Sequence, residues 1–141
     1  MPDVVTILAD LHEHRSGVPL RLRALGADVK VVALPAADYV PSKNVLVERK
    51  TVSDLHDSIV RGRFWLQMGK TRAPGVWPYL LIEGPDLDRG PLAPSSVRGA
   101  CLAVLEQGIT LLRTTDGDDT ALWIYRLALR GRRRPRPDRP A

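Results

Sequence analysis

The chemistry-bearing residues of this chain gather around one short stretch, VLVERK at residues 45–50, and one acid ten positions upstream, Asp38. Val45, Leu46 and Val47 read as a buried strand, which Glu48, Arg49 and Lys50 end. Side chains alternate along a strand, so Glu48 and Lys50 share one face, roughly 7 Å apart, while Arg49 points to the other. Asp38 belongs to a partner strand. If it stands opposite Glu48, the loop between them holds Ser42, Lys43 and Asn44. A three-residue hairpin of this kind wants a left-handed last residue, which Asn tolerates. The two carboxylates are then cross-strand neighbours, roughly 5 Å apart at Cβ. A two-residue turn would instead place them on opposite faces. Carboxylates that close repel unless a cation sits with them. Mg²⁺ or Mn²⁺ suits such a pair, since both take oxygen ligands from one or two carboxylates, water and phosphate. Lys50 beside them is placed to position a water or a phosphate. Together these are the parts of metal-assisted phosphodiester hydrolysis. Asp10, at the end of the first apolar run, is a further ligand or a supporting acid.

The elements that must hold these groups are readable from periodicity and punctuation. Residues 4–9 and 28–34 read as strands, and residues 20–26 as a short helix with a Gly stop. Residues 10–19 read as a polar loop ended by Pro19. Residues 51–62 carry an apolar stripe at Val52, Leu55 and Ile59 and read as a helix, with a second helical segment following. Residues 76–84 are another strand, SSVRGACLAVLEQG an amphipathic helix and ITLLRT a short strand. A last helix has acids at its start and Arg at its end, as the helix dipole favours. Strands interleaved with helices imply an α/β fold around a mixed sheet, its central strands largely parallel, with flanking helices and one β-hairpin.

At 141 residues the chain has length for one domain with a real core, and 44% apolar with 26% charged residues is ordinary for a globular protein. No apolar run approaches the roughly 20 residues that cross a bilayer, so no membrane role is expected. The single Cys101 cannot form an internal disulfide, which points to a cytoplasmic, and in a bacterium nucleoid-associated, setting. The net charge of +5 is carried entirely by residues 130–141, where six Arg face one Asp. The expected organisation is therefore one domain over residues 1–129, net neutral, and a disordered Arg/Pro tail over 130–141. Basic tails attract phosphate backbones, which makes Arg132, Arg133 and Arg134 candidate nucleic-acid contacts.

The stretch VERKTVSDLHDSI resembles the nuclease domain of the XPF-type structure-specific endonuclease family. That domain carries Gly-Asp-Tyr, then Glu-Arg-Lys, then an Asp four residues on. Here these are Ala37-Asp38-Tyr39, Glu48-Arg49-Lys50 and Asp54. The family's opening Asp-x-Arg-Glu stands here as Asp10-Leu11-His12-Glu13, followed by Arg15, Ser16 and Pro19. Gly62-Arg63, Gln67, the LLIEG strand and the GITLLRT segment extend the likeness over about residues 4–130. The resemblance implies a restriction-endonuclease-like fold, and cleavage of branched or flapped DNA with Mg²⁺ or Mn²⁺. It implies an acidic site of Asp10, Glu13, Asp38, Glu48 and Asp54 with Arg49 and Lys50 beside it, and metal held by Asp38, Glu48 and Asp10. DNA contacts would fall to His12, Arg15, Arg61, Arg63 and Gln67. It implies a homodimer through the two C-terminal helices. Ala37 stands where the family has Gly, and His12 where it has Arg. The helix-hairpin-helix modules that many members carry are not in this sequence, so an accessory DNA-binding partner is one expectation.

Plainer readings stand beside these. Asp54 fits a capping box with Thr51. Arg49 could be a structural ion-pair partner, and Glu83 a cap or ion pair. Arg61 and Arg63 could be a solvated face. His14 and His56 read as surface or turn residues. Trp65, Trp77 and Trp123 read as core or interface. Two other functions compete with the endonuclease: a nuclease-like scaffold that binds DNA or a partner nuclease without cutting, and a duplex-cutting restriction-type enzyme. The retained Asp10, Asp38, Glu48, Lys50 and Asp54 favour catalysis over the scaffold.

Overall fold

The computed structural model describes residues 4–133. Six strands form one sheet: β1 (Thr6–Asp10), β2 (Asp28–Val32), β3 (Tyr39–Ser42), β4 (Val45–Thr51), β5 (Trp77–Glu83) and β6 (Thr110–Thr114). Their spatial order is β2-β1-β3-β4-β5-β6. The β1–β2, β4–β5 and β5–β6 pairs are parallel, and β3 runs antiparallel to both of its neighbours. Five helices flank the sheet: α1 (Val18–Ala24), α2 (Val52–Val60), α3 (Phe64–Lys70), α4 (Pro94–Glu106) and α5 (Gly117–Arg133). The expected mixed α/β sheet with one hairpin is present.

Alternation along the strands divides the interior into two layers. Tyr39, Val47, Tyr79 and Leu81 face α1 and α5, packing with Val18, Leu22, Ala121, Ile124 and Ala128. Leu80 and Ile82 face the other way, against Val52, Leu55, Phe64, Met68, Val97 and Val104 of α2, α3 and α4. The buried stripe of α5 is thus Ala121–Ile124–Ala128, at helical spacing. Leu122 and Trp123 on the same helix are exposed.

Three segments differ from the sequence reading. Residues 10–19 are not a loop: Leu11–Ser16 is a 3-10 helix, and Pro19 sits in the first turn of α1, where a missing N–H costs nothing. The final helix runs on to Arg133, so residues 130–133 of the expected tail are helical, Arg being a good helix former. Residues 134–141, Arg134 among them, lie outside the described residues.

The third concerns the hairpin. Its innermost pair is Ser42–Val45, leaving Lys43 and Asn44 as a two-residue turn. Such a turn should put Asp38 and Glu48 on opposite faces. A register irregularity between Tyr39 and Ser42 compensates, so that Tyr39 stands opposite Val47. One residue further, Asp38 comes level with Glu48. Asn44 is left-handed, as the turn demands (φ 66°).

Ala37 has φ 68°, just before the chain enters β3. A left-handed alanine costs about 1–2 kcal/mol that glycine does not pay. Glycine gives back a few tenths through its looser unfolded chain. Ala37→Gly should therefore stabilise the protein by about 1 kcal/mol, read as a higher urea midpoint at unchanged m-value. A lower midpoint would mean that the turn carries no such strain.

Candidate active site

Asp38 is fixed by its own peptide before its side chain acts. Its N–H donates to the Val47 carbonyl at 2.9 Å, and its carbonyl accepts the Asp10 N–H at 2.8 Å. The segment thereby ties β1 to β4 at the level of Glu48. The Asp38 carboxylate accepts the Arg49 backbone N–H at 2.8 Å. Burial first, then the negative charge of Glu13, pushes Asp38 up to about 7. Burial first, then the charge of Asp38, pushes Glu48 up to about 8. Lys50 acts on both in the opposite direction. Its side chain is buried at the end of β4, and among the described residues no hydrogen bond engages its ammonium. Asp38, Glu48 and Lys50 are thus an under-neutralised pair of acids with one cation beside them.

Arg49, on the alternate face of β4, is committed elsewhere. Its Nε and Nη2 donate to the two carboxylate oxygens of Glu83 at 3.0 and 2.7 Å. Its Nη1 lies 3.6 Å from Glu13 Oε2. Glu83 also accepts from Thr120 Oγ1 of α5 at 2.6 Å, and Thr120 shares a hydrogen bond with Thr114. Burial alone would raise Glu83, but Arg49 and Thr120 hold it below its ordinary value. Glu13 accepts from the Tyr39 hydroxyl at 2.6 Å, and burial holds it above its usual range. Arg49 is therefore an ion-pair clamp between β4, β5 and the 3-10 helix, the plainer of its two readings.

Asp10 is held by donors on both oxygens, and its charge bears on Asp38 and Glu48. Its Oδ1 accepts the Leu34 N–H at 2.9 Å, and its Oδ2 accepts the His12 N–H and the His12 ring at 3.0 and 2.7 Å. The Leu34 bond leads in holding Asp10 below the ordinary carboxylate range. Asp10 caps the 3-10 helix and anchors the end of β2. Among the described residues no three His, Cys, Asp or Glu side chains converge as a ligand set. The oxygen-only pair of Asp38 and Glu48 still fits a hard divalent cation, since Mg²⁺ needs only one or two carboxylates and fills the rest with water and phosphate.

The remaining expected residues separate. Asp54 is exposed, its N–H capped by Thr51 Oγ1 at 3.1 Å, as the capping-box reading has it. Arg61 and Arg63 both bind Asp57, a residue the sequence reading passed over, at 2.8 and 3.0 Å. Its i,i+4 spacing to Arg61 was the available signal. His12 and Arg15 are exposed beside Asp10. Gln67 Oε1 is a buried acceptor without a hydrogen bond. Arg132 is exposed near the end of α5. There Gly131 packs on Ser42, at the end of β3 away from Asp38. His56 is not a surface residue: it is buried beneath the loop after β5.

A carboxyl with a raised folded-state pKa keeps protons that the unfolded chain has already released. Its stabilising protonation is complete below the unfolded pKa, about 4, and is lost as pH climbs through the raised values. Asp38→Asn removes one charge and keeps an acceptor for Arg49 N–H. In metal-free buffer it should melt above wild type at pH 8.5, with the gap closing toward pH 5. Equal melting profiles would contradict the crowding of Asp38 and Glu48.

Residues 9–127 match the ERCC4 domain. Over 128 residues, 89% of this chain, the sequence is 33% identical to the 3'-flap repair endonuclease Xpf of Saccharolobus solfataricus, and covers 55% of that protein. It is 37% identical over 95 residues to the DNA repair endonuclease XPF of Mus musculus, covering 10% of it. XPF from Aeropyrum pernix superposes with a TM-score of 0.82 at 36% identity, covering 92% of this chain and 66% of that one. The same protein in complex with DNA superposes at 0.80. The chain thus spans about half of the archaeal relative and far less of the animal one. With its domain matched almost end to end and its fold shared, the chain belongs to the ERCC4 domain family.

Proposed function

We propose that this chain is a metal-dependent endonuclease that hydrolyses phosphodiester bonds in flapped, forked or otherwise branched DNA, in repair or recombination. The observation that carries this reading is the pair Asp38 and Glu48, each raised first by burial and then by a neighbouring acid, with Lys50 beside them. Relatives named as 3'-flap and DNA repair endonucleases support the choice of substrate.

Asp38 and Glu48 are the proposed ligands of Mg²⁺ or Mn²⁺. When bound, such an ion polarises the phosphoryl oxygen and lowers the pKa of a coordinated water. Lys50 is placed beside the two acids to meet a non-bridging phosphate oxygen and to orient the water that attacks. Burial strengthens this contact relative to one in open solvent. Asp10 caps the turn that carries Glu13, fixes the peptide of Asp38, and is the proposed further ligand or supporting acid. Arg49 and Glu83 set the height of β4, which aims Glu48 and Lys50. Asp54 stands exposed at the start of α2, where a second ion or a water could meet it.

Labelled flap, fork, duplex and single-stranded DNA, incubated with Mn²⁺ or Mg²⁺, test this directly. The branched substrates should be cut, and Asp38→Ala and Lys50→Ala should each lower kcat at least about 100-fold while leaving DNA affinity within a small factor. Binding without cutting in wild type would favour the scaffold. Equal cutting of plain duplex would favour a restriction-type enzyme.

We further propose that the active form is a homodimer. The edge strand β6 is flanked by α4 and α5, which expose Leu102, Leu105, Leu122 and Trp123. Scattered exposed apolar residues need no explanation, but three leucines and a tryptophan on the two helices beside one open sheet edge are what a second copy would cover. Sedimentation at micromolar concentration should show a dimer that Leu105→Glu with Trp123→Glu converts to monomer. A monomeric wild type would sink the idea.

A further inference from the structure

Outside the carboxyl ends of β4 and β5 lies a groove of about 280 Å³. Thr51, the residue after Lys50, forms part of its wall, with Ser53, Glu83, Asp86 and Arg89. Its charges are not equivalent. Glu83 is neutralised by Arg49. Asp86 accepts the Asp88 N–H at 3.0 Å. Arg89 is exposed, and among the described residues no hydrogen bond or ion pair engages its guanidinium. The arginines around it are spent: Arg49 on Glu83, Arg61 and Arg63 on Asp57, Arg98 on Asp88, and Arg113 on the Gly84 carbonyl. Arg89 is the uncommitted cation in the wall of this groove.

The loop that carries Arg89 is held from beneath. His56 of α2 is 1% exposed. Its Nδ1 accepts the Leu92 N–H at 3.2 Å, which leaves Nε2–H to donate to the Leu87 carbonyl at 2.9 Å. A Cβ at Gly90 would collide with the imidazole ring, so only glycine lets the loop pass this close. The clamp grips residues 87, 90 and 92 and so brackets Arg89. A simple connection between β5 and α4 needs no buried imidazole with both nitrogens on its backbone.

We propose, resting on the endonuclease reading, that Arg89 binds a DNA backbone phosphate next to the scissile one, and that His56 is the positioning residue that holds it there. A guanidinium presents paired donors to a phosphate and stays charged at any working pH. Fixing its loop beforehand removes ordering entropy that binding would otherwise have to supply.

Binding of fluorescein-labelled flap DNA by the full chain, in EDTA and across 50–200 mM salt, reads this out alongside KM and kcat with Mn²⁺. Arg89→Ala should raise Kd and KM about 5-fold and flatten the log–log salt dependence by about 0.9, with kcat unchanged. Arg89→Lys should recover most of the salt slope. His56→Leu should weaken binding in the same way. The double variant should bind no worse than Arg89→Ala alone, even where it melts lower, because the clamp acts through an arginine already gone. An Arg89→Ala enzyme that cuts flap DNA with wild-type KM and salt slope would overturn the contact and leave the endonuclease standing. Additive binding losses in the double variant would overturn the role of His56. A wild-type protein that neither binds nor cuts flap DNA would overturn both readings.

Discussion

Two carboxylates held side by side out of water set the terms for the rest of this fold. Burial is the first cause that raises both Asp38 and Glu48; the charge of Glu13 adds to it at Asp38, and the charge of Asp38 at Glu48. Left to themselves they would part. They are kept together by backbone bonds, which do not depend on charge. The Asp38 peptide is held between Asp10 N–H and the Val47 carbonyl. The Asp38 carboxylate is held by Arg49 N–H. The position is therefore fixed by strand register, at a cost in stability met by the two core layers on either side.

Alternation along β4 then sorts the charges. Glu48 and Lys50 fall on one face and Arg49 on the other, where it meets Glu83 and Glu13. A buried ion pair adds little over an apolar pair of the same size, but either partner alone would be an uncompensated buried charge. What Arg49–Glu83 provides is a fixed alignment of β4 with β5, relayed to α5 through Thr120. This separates the five acids that share the family's pattern. Asp10 accepts three hydrogen bonds, Glu13 is bound by Tyr39 and Arg49, and Asp54 stands in solvent at a helix start. Only Asp38 and Glu48 keep unspent charge in a buried setting.

Much of this was legible in the sequence because it rests on local rules. The alternation of Glu48, Arg49 and Lys50 follows from strand geometry alone, and Asn44 announces a left-handed turn position. The rest depends on contacts distant in sequence. The irregularity between Tyr39 and Ser42 that restores the level of Asp38 has no sequence mark. The Leu34 N–H that holds Asp10, brought in by β2, has no mark near Asp10 in the sequence. His56 reads as a surface residue until the loop after β5 folds over it. The inward face of α5 is hard to read from sequence because its buried positions include two alanines, while the larger Leu122 and Trp123 lie outside.

Charge placement bears on how DNA would be held. Formal charge suggests a basic tail doing the binding, since residues 130–141 carry the whole net charge. Yet α5 brings Gly131 against Ser42, at the far end of β3 from Asp38. Four residues of strand separate the two levels, about 13 Å. A duplex rises 3.4 Å per base pair, so about four base pairs lie between a phosphate at Glu48 and the basic end of α5. The Arg-rich end can therefore supply long-range attraction, which is set by counterions and is blind to position. Placement has to come from charges within reach of Glu48 itself, and most arginines near it are bound to acids of their own. Long-range attraction and registration at Glu48 therefore make different demands on the charges of this fold.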